Sequence, residues 1–328
     1  MNLNKLALSS VLLFAIFLAL QTSSVNAQIV LERNVRAGMQ FLAGDAMQGR
    51  GSGTPFERIA AEYVGSQFMQ FGLEPAGEKG PDGKLTFVQS IPTKSRRTGA
   101  EGTTWNAMGK ITGSDPKLSG EVILISAHLD HLGVRDNTPG DDKIFNGADD
   151  DASGTVAVIE LARALANGKR PKRTIYFVAF GSEEAGGFGS RWFVENMPVA
   201  KEKLVANLQF EMIGRPDSKV RPEELWLTGF ERSNLGPELA KRGAKLVQDP
   251  HPDQRFFMRS DNYQLAKVGV IAHTVSSFGL HTDYHKSSDE IKTIDFVHMT
   301  RSIDSMVKPI VWLVNSNFRP VWNEGMKP

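Results

Sequence analysis

The sequence predicts an α/β fold: a single domain with a mixed, largely parallel β-sheet flanked by helices on both faces. Three observations carry this expectation. Segments 121–127 (E-V-I-L-I-S-A) and 174–180 (T-I-Y-F-V-A-F) are near-continuous apolar runs, the pattern of strands buried on both faces. Between them, 153–166 sets Val156, Ile159, Leu161 and Leu165 among good helix formers and closes at Asn167-Gly168, so the order is strand, helix, strand. Finally, 328 residues at 41% hydrophobic and 23% charged can bury a sizeable core, and such a length suits one large α/β domain.

The first residues are set aside before the fold is considered. Lys5 precedes an apolar run over 6–20 broken only by Ser9 and Ser10, and a polar stretch follows with Val25 and Ala27 at cleavage-compatible positions. Residues 1–27 therefore read as a secretory signal peptide, and the run is shorter than the roughly 20 residues that span a bilayer core. The expected mature domain is 28–328, exported to periplasm or medium. It should make no stable membrane insertion, because no later stretch reaches about 18 consecutive apolar residues.

The elements of that domain follow in order. A helix pair is expected over 35–71, a Gly-, Pro- and charge-rich loop over 77–83, and strands over 85–91 and 105–111. The basic, polar stretch 94–102 between those strands reads as a solvated loop. After the strand–helix–strand unit come strands over 204–213, 224–229 and 268–275, with a helix over 233–242. A terminal helix over 294–314 carries Phe296, Met299, Ile303, Met306, Ile310 and Leu313 at helical spacing. Interleaved strands and helices cover a sheet on both sides.

Charge and cysteine content exclude several function classes. With 38 basic and 37 acidic side chains the net charge is +1, so there is no basic surplus for nucleic acid. Lys5 is the only charged residue in 1–27, so the mature chain is formally neutral. The absence of cysteine rules out disulfides, thiolate metal sites, iron–sulfur clusters and a cysteine nucleophile. Any metal site must use His, Asp and Glu.

In open α/β sheets ligands bind beyond the carboxyl ends of the strands, so the residues there are the candidates. His128-Leu129-Asp130 follows 121–127, and Gly181-Ser182-Glu183-Glu184 follows 174–180. Glu211 interrupts 204–213 near its end. His281, Asp283, Tyr284 and His285 follow 268–275, and Asp149-Asp150-Asp151 precedes the helix at 153. Each has a bland account on its own: a histidine satisfied by a neighbouring carboxylate, acids at a helix N-terminus, a solvated Glu pair. Glu211 is harder to dismiss, because a carboxylate at a buried strand end costs several kcal/mol unless paired or bound to metal. Together, His128, His285, Asp150, Glu184 and Glu211 suit a pair of divalent ions with one carboxylate bridging them. Zinc is the natural ion for mixed N/O ligation without thiolates. Glu183 is left over as a base that takes a proton from water and passes it to a leaving amine. Asp130 and Asp289 are placed to accept hydrogen bonds from the imidazoles and so fix their orientation.

Five ordered motifs then carry a resemblance: S-A-H-L-D-H-L-G, N-G-A-D-D-D-A-S-G, A-F-G-S-E-E-A-G-G, L-Q-F-E-M-I-G-R and D-Y-H-K-S-S-D. Over about 34–315 the chain resembles the co-catalytic dizinc aminopeptidases of metallopeptidase family 28, clan MH, a family that includes bacterial leucyl aminopeptidases and glutamate carboxypeptidases. The resemblance implies the zinc-dependent exopeptidase, phosphorylase/hydrolase-like fold, two zinc ions and a peptide substrate. It places His128, Asp150 and Glu211 on one ion and Asp150, Glu184 and His285 on the other, with Asp150 as the bridge. It makes Glu183 the general base for attack by a metal-bridging hydroxide, Tyr284 an oxyanion donor, and Asp150-Asp151 a cis peptide. Glu211 stands where the best-known members have Asp. The interval 91–121 is too short for the protease-associated domain inserted in many secreted members, so 28–328 is expected to be the zinc peptidase domain alone.

The expected function is an exported aminopeptidase that removes N-terminal residues. A carboxypeptidase or dipeptidase of the same family is the alternative, with Arg215, Arg255 and Arg259 available to an α-carboxylate. A single-zinc glutaminyl-cyclase-like enzyme is argued against by the presence of every ligand position, and a non-enzymatic binding module by the intact set. Phe256, Phe257, Met258 and Phe278 point to an apolar side-chain pocket or to core packing. The sequence carries no signal for oligomeric state.

Overall fold

Helices α1 (Glu32–Leu42) and α2 (Pro55–Gln70) form the expected pair, and Pro55 at the first turn of α2 starts the helix where its missing N–H costs nothing. The computed structural model describes residues 29–94 and 99–328; the signal-peptide reading over 1–27 and the centre of the basic stretch lie outside the described residues. Strands β1 (Glu74–Pro75), β2 (Val88–Lys94), β3 (Glu101–Ile111) and β4 (Val122–His128) follow, then the short strands β5 (Gly133–Val134) and β6 (Ile144–Phe145). Helix α3 (Gly154–Ala166) leads to β7 (Thr174–Phe180), α4 (Phe188–Glu195) and β8 (Leu204–Phe210). The rest comprises β9 (Leu225–Leu227), α5 (Leu235–Lys241), β10 (Leu246–Gln248), α6 (Asn262–Lys267), β11 (Ala272–Ser276) and α7 (Phe296–Asn315).

Among the described residues the main sheet has the order β1-β3-β7-β4-β8-β11-β9-β10, with β2 on β3. The centre, β7-β4-β8-β11, is parallel, while β3 and β9 flank it antiparallel. Every residue of β4, β7 and β8 is buried, as their largely apolar sequences lead one to expect, and the polar Ser126, Asn207 and Gln209 are linked by hydrogen bonds to one another across β4 and β8. On one face α1, α3 and α7 pack Val35, Met39, Val156, Ile303, Met306 and Ile310 into the larger core. On the other, α4 and α6 bring Phe193 and Leu265 against Leu124, Val178 and Phe180. Each such side chain contributes about 1.5–3 kcal/mol. Asp295 starts α7 by accepting the His298 N–H at 2.9 Å.

Several boundaries move for local reasons. The strand expected over 204–213 stops at Phe210 because Met212 has φ +51°. The strand expected over 268–275 begins at Ala272, since Gly269 and Val270 close the α6 turn by bonding to Ala266 and Leu265. The ends of the stretch read as a loop over 94–102 are strand rungs, with Lys94 paired to Glu101 and their charges 3.6 Å apart. Helices α4 and α6 and strand β10 are too short to show a period in sequence.

Register brings the strand ends together. His128 lies opposite Phe180 in the β4–β7 pair, Ser126 opposite Gln209 in β4–β8, and Val275 opposite Phe210 in β11–β8. The loops that follow these strands therefore leave at one edge.

Candidate metal centre

Each functional loop is fixed by a buried polar group. The His128 N–H donates to Asp151 Oδ2 at 3.2 Å, and Asp151 Oδ1 accepts from the N–H groups of Gly154 and Met212 at 2.9 and 3.1 Å. One carboxylate thus ties the end of β4 to the start of α3 and to the turn after Glu211. The guanidinium of Arg50, fully buried, donates to the carbonyls of Leu42, Leu129, Asn146 and Gly147, seating the loops that carry Asp130 and Asp150. Burial lowers its pKa to about 10, which leaves it charged among the surrounding aspartates. Glu57 accepts from the Ser182 N–H at 2.8 Å and holds the base of the Glu183-Glu184 loop.

The sequence-predicted ligands converge. His128 Nε2 lies 3.2 Å from Asp150 Oδ1, and His285 Nε2 lies 3.2 Å from Asp150 Oδ2 and 3.1 Å from Glu184 Oε1. His128, Asp150 and Glu211 offer donor atoms within 4.8 Å of one another, and so do His131, Asp150 and Glu184. Ligands on a tetrahedral zinc sit about 3.4 Å apart, given bonds of about 2.1 Å. Glu184 Oε1 and Glu211 Oε2 are buried without a hydrogen-bond partner, although nitrogen atoms lie close to the first of them. Buried carboxylate oxygens left unpaired are costly, and a divalent ion held among these donors removes that cost. The two groups share Asp150, and the Asp150–Asp151 peptide bond is cis.

Two expected contacts are different. Asp130 lies 3.6 Å from His128 Nδ1, which instead faces the Asp130 carbonyl at 3.2 Å. The Asp130 carboxylate accepts from the N–H groups of Glu183 and Glu184 and from the Ser52 hydroxyl. Asp289 makes no contact with His285. It accepts the N–H groups of Asp149 and Asp150 at 3.0 Å and pairs with Arg215 at 3.2 Å. In both cases N–H groups at the start of a turn had no other partner, and the carboxylate satisfies them.

Three residues of the site were missed in sequence. Asp151 reads in sequence as part of an acidic triplet and of a cis peptide, not as the acceptor that ties three backbone N–H groups together. His131 is the second histidine of H-L-D-H, three residues past His128, and that repeat was the available signal. Asp261 precedes α6 and reads locally as a helix cap, yet its side chain makes no cap bond. Both its oxygens are buried and unpaired.

Electrostatics separate the carboxylates. Burial pushes Glu183 well above the usual carboxylate range, and Asp261, Glu211 and Glu184 add to the shift against His128. Burial raises Glu211 to about 7 and Asp261 to about 6. Burial opposes the charge on His285, but Asp150 and Glu184 carry its pKa up to about 9. Burial and the carboxylates of Asp150, Glu184 and Glu211 keep the Tyr284 phenol protonated. Its ring stacks on His285, with centroids 3.9 Å apart.

Beside Glu211 lies a cavity of about 30 Å³ walled by Met212, Trp226, Phe256, Phe278 and Tyr284. Of the four apolar residues read as a pocket or as core packing, Phe256 and Phe278 line this cavity, Phe257 packs in the core against Tyr263 and Trp322, and Met258 is exposed on a separate cleft.

The sequence model described as Peptidase family M28 matches residues 106–308 of the chain. Leupeptin-inactivating enzyme 1 of Streptomyces exfoliatus is 34% identical over 137 residues, covering 41% of this chain and 28% of that protein. An aminopeptidase of Pseudomonas aeruginosa strain UCBPP-PA14 is 31% identical over 153 residues, covering 46% of this chain and 24% of that protein. The chain thus matches about a quarter of the length of these curated relatives. Among solved structures, an aminopeptidase from Aneurinibacillus sp. strain AM-1 superposes with a TM-score of 0.66 over 91% of this chain and 96% of that one, at 14% identity. That likeness is one of fold.

Proposed function

The chain belongs to peptidase family M28, and from that premise we propose that it is an exported dizinc aminopeptidase that hydrolyses the N-terminal residue from peptides. The observation that carries this reading is the sharing of Asp150 between His128 with Glu211 and His285 with Glu184, while Glu183 stays outside both sets. Zinc bound there supplies Lewis acidity and positive charge at the scissile carbonyl. Glu183, held by Asp130 and raised by burial, takes the proton of the attacking water and delivers it to the leaving amine. Tyr284 stays protonated beside the site and donates to the oxygen on which charge develops.

Aminopeptidase polarity is supported by charge. Asp261, buried without a hydrogen-bond partner and outside both ligand sets, lies close enough to Glu183 and Glu211 to raise the pKa of both, and an acidic group there favours a substrate ammonium. Arg215 is occupied by Asp283 at 2.7 Å and Asp289 at 3.2 Å, and Arg255 lines the separate cleft with Met258. Arg259 lines the cavity but rests over the Phe256 ring, 4.9 Å from its centroid.

The test is hydrolysis of paired peptides, one with a free α-amine and one N-acetylated, with zinc counted in the same sample. Cleavage of the free-amine peptide alone at two zinc per chain is expected. Release of carboxyl-terminal residues from both would make it a carboxypeptidase, and one zinc with no cleavage would favour the cyclase.

A further inference from the structure

The M28 ligand positions leave one imidazole unexplained. His131 is 1% exposed, and neither of its ring nitrogens has a hydrogen-bond partner. Its Nδ1 points at the centre of the site, 3.0 Å from Glu184 Oε1 and 3.8 Å from Asp150 Oδ2. These are the two oxygens that His285 Nε2 also approaches, at 3.1 and 3.2 Å. The rings of His131 and His285 meet edge to face, with centroids 5.8 Å apart, so the two imidazoles flank one carboxylate pair.

The residue is held in this position. Its N–H donates to the Arg50 carbonyl at 3.2 Å. Its ring lies so close beneath Gly147 that a Cβ there would stand 2.4 Å from His131 Cγ, and Gly147 has φ +57°. The loop that carries Asp150 is thus built around the His131 ring. A histidine serving only as a hydrogen-bond partner of Glu184 would be aligned with it, and at 3.0 Å this one is not. Its distances to the two oxygens bracket the ligand–ligand spacing of about 3.4 Å expected on zinc.

We infer that His131 is a further imidazole ligand of the ion held by Asp150, Glu184 and His285. That position then offers two imidazoles and two carboxylates, whereas the position of His128 and Glu211 offers one imidazole and two carboxylates. The His131 side is accordingly the tighter of the two and fills first. The inference rests on the dizinc reading above.

The test is metal titration of the full mature chain against a chromophoric chelator, with cobalt(II) absorption as a second readout. His131→Gln is expected to weaken the tighter ion by at least tenfold and to alter the cobalt bands, because a nitrogen donor is lost. His285→Ala is expected to retain two ions, since His131, Asp150 and Glu184 remain; the double variant should retain one. Affinity of His131→Gln within threefold of the native chain overturns the inference. A weaker ion with unchanged cobalt bands also overturns it, because His131 would then act only through Glu184. Melting of the metal-free proteins checks the fold, and if His131→Gln does not fold, His285→Ala decides: two ions uphold the inference and one overturns it. A native chain that takes up no zinc overturns the dizinc reading itself. Two zinc in the native chain with an unaffected His131→Gln overturns only the role of His131.

Discussion

Asp130 accepts a hydrogen bond from the backbone N–H of Glu183 at 2.9 Å. The carboxylate two residues past the first imidazole therefore fixes the turn that sets Glu183, the proposed base, beside Glu184, a proposed ligand. Ser182, in the left-handed region at φ +54°, and Glu57 beneath it hold the same turn from the other side. The geometry of the base is a property of the sheet edge rather than of the Glu183 side chain.

Replacing that side chain should accordingly leave the centre intact. Glu183→Gln keeps the volume and removes the proton acceptor but no ligand. Turnover is expected to fall by about 10²–10⁴, with zinc still near two per chain. Steady-state hydrolysis and elemental analysis on one preparation check this, and activity near the native level would remove Glu183 from its role.

What the sequence made legible follows from period and position. Buried parallel strands announce themselves by near-continuous apolar runs, and the strand-end rule then singles out His128, Glu184, Glu211 and His285. Partners set by tertiary contact were not legible. Nothing in the sequence says that Asp289 meets the Asp149 and Asp150 N–H groups rather than an imidazole, because that depends on how two distant loops fold over one another. Asp261 was hidden in the same way: its local context is that of a helix cap, and only packing leaves it unpaired.

Asp150 stands in both ligand groups, so its loss should be felt twice. Asp150→Asn is expected to lower zinc from two to at most one per chain and to shrink the gap in melting temperature between zinc-loaded and chelator-treated protein. Binding at a thousandfold excess over Kd stabilises by about 4 kcal/mol, so the native gap is large enough to measure. Unchanged zinc content would mean that Asp150 is not the bridge.

Tyr284→Phe tests the phenol while keeping the ring stacked on His285. A rate reduction of about 10²–10³ with unaltered zinc content and KM is the expected pattern for a donor that acts on developing charge. If the rate does not change, the ring's packing against Phe278 and His285 is its whole role.

A last prediction concerns pH and lies outside the metal centre. His273 is fully buried, with Nε2 at 2.7 Å from the Ser233 hydroxyl and Nδ1 at 2.7 Å from the Thr228 carbonyl. Burial, opposed by the Thr228 carbonyl and assisted by Arg232, lowers its pKa from 6.5 to about 4. Between these values the unfolded chain binds the proton and the native one does not. Stability is therefore full above pH 6.5 and is lost as pH falls toward 4, by about 3 kcal/mol across the window and about 2 kcal/mol between pH 7 and pH 5. Urea unfolding of chelator-treated protein at those two pH values, for the native chain and for His273→Asn, isolates this contribution because the other titrating groups are common to both. The variant should start less stable at pH 7, having lost buried hydrogen bonds, and should lose about 2 kcal/mol less on acidification. Equal losses would show that His273 carries its proton in the folded state, which would place a buried cation between Ser233 and Thr228.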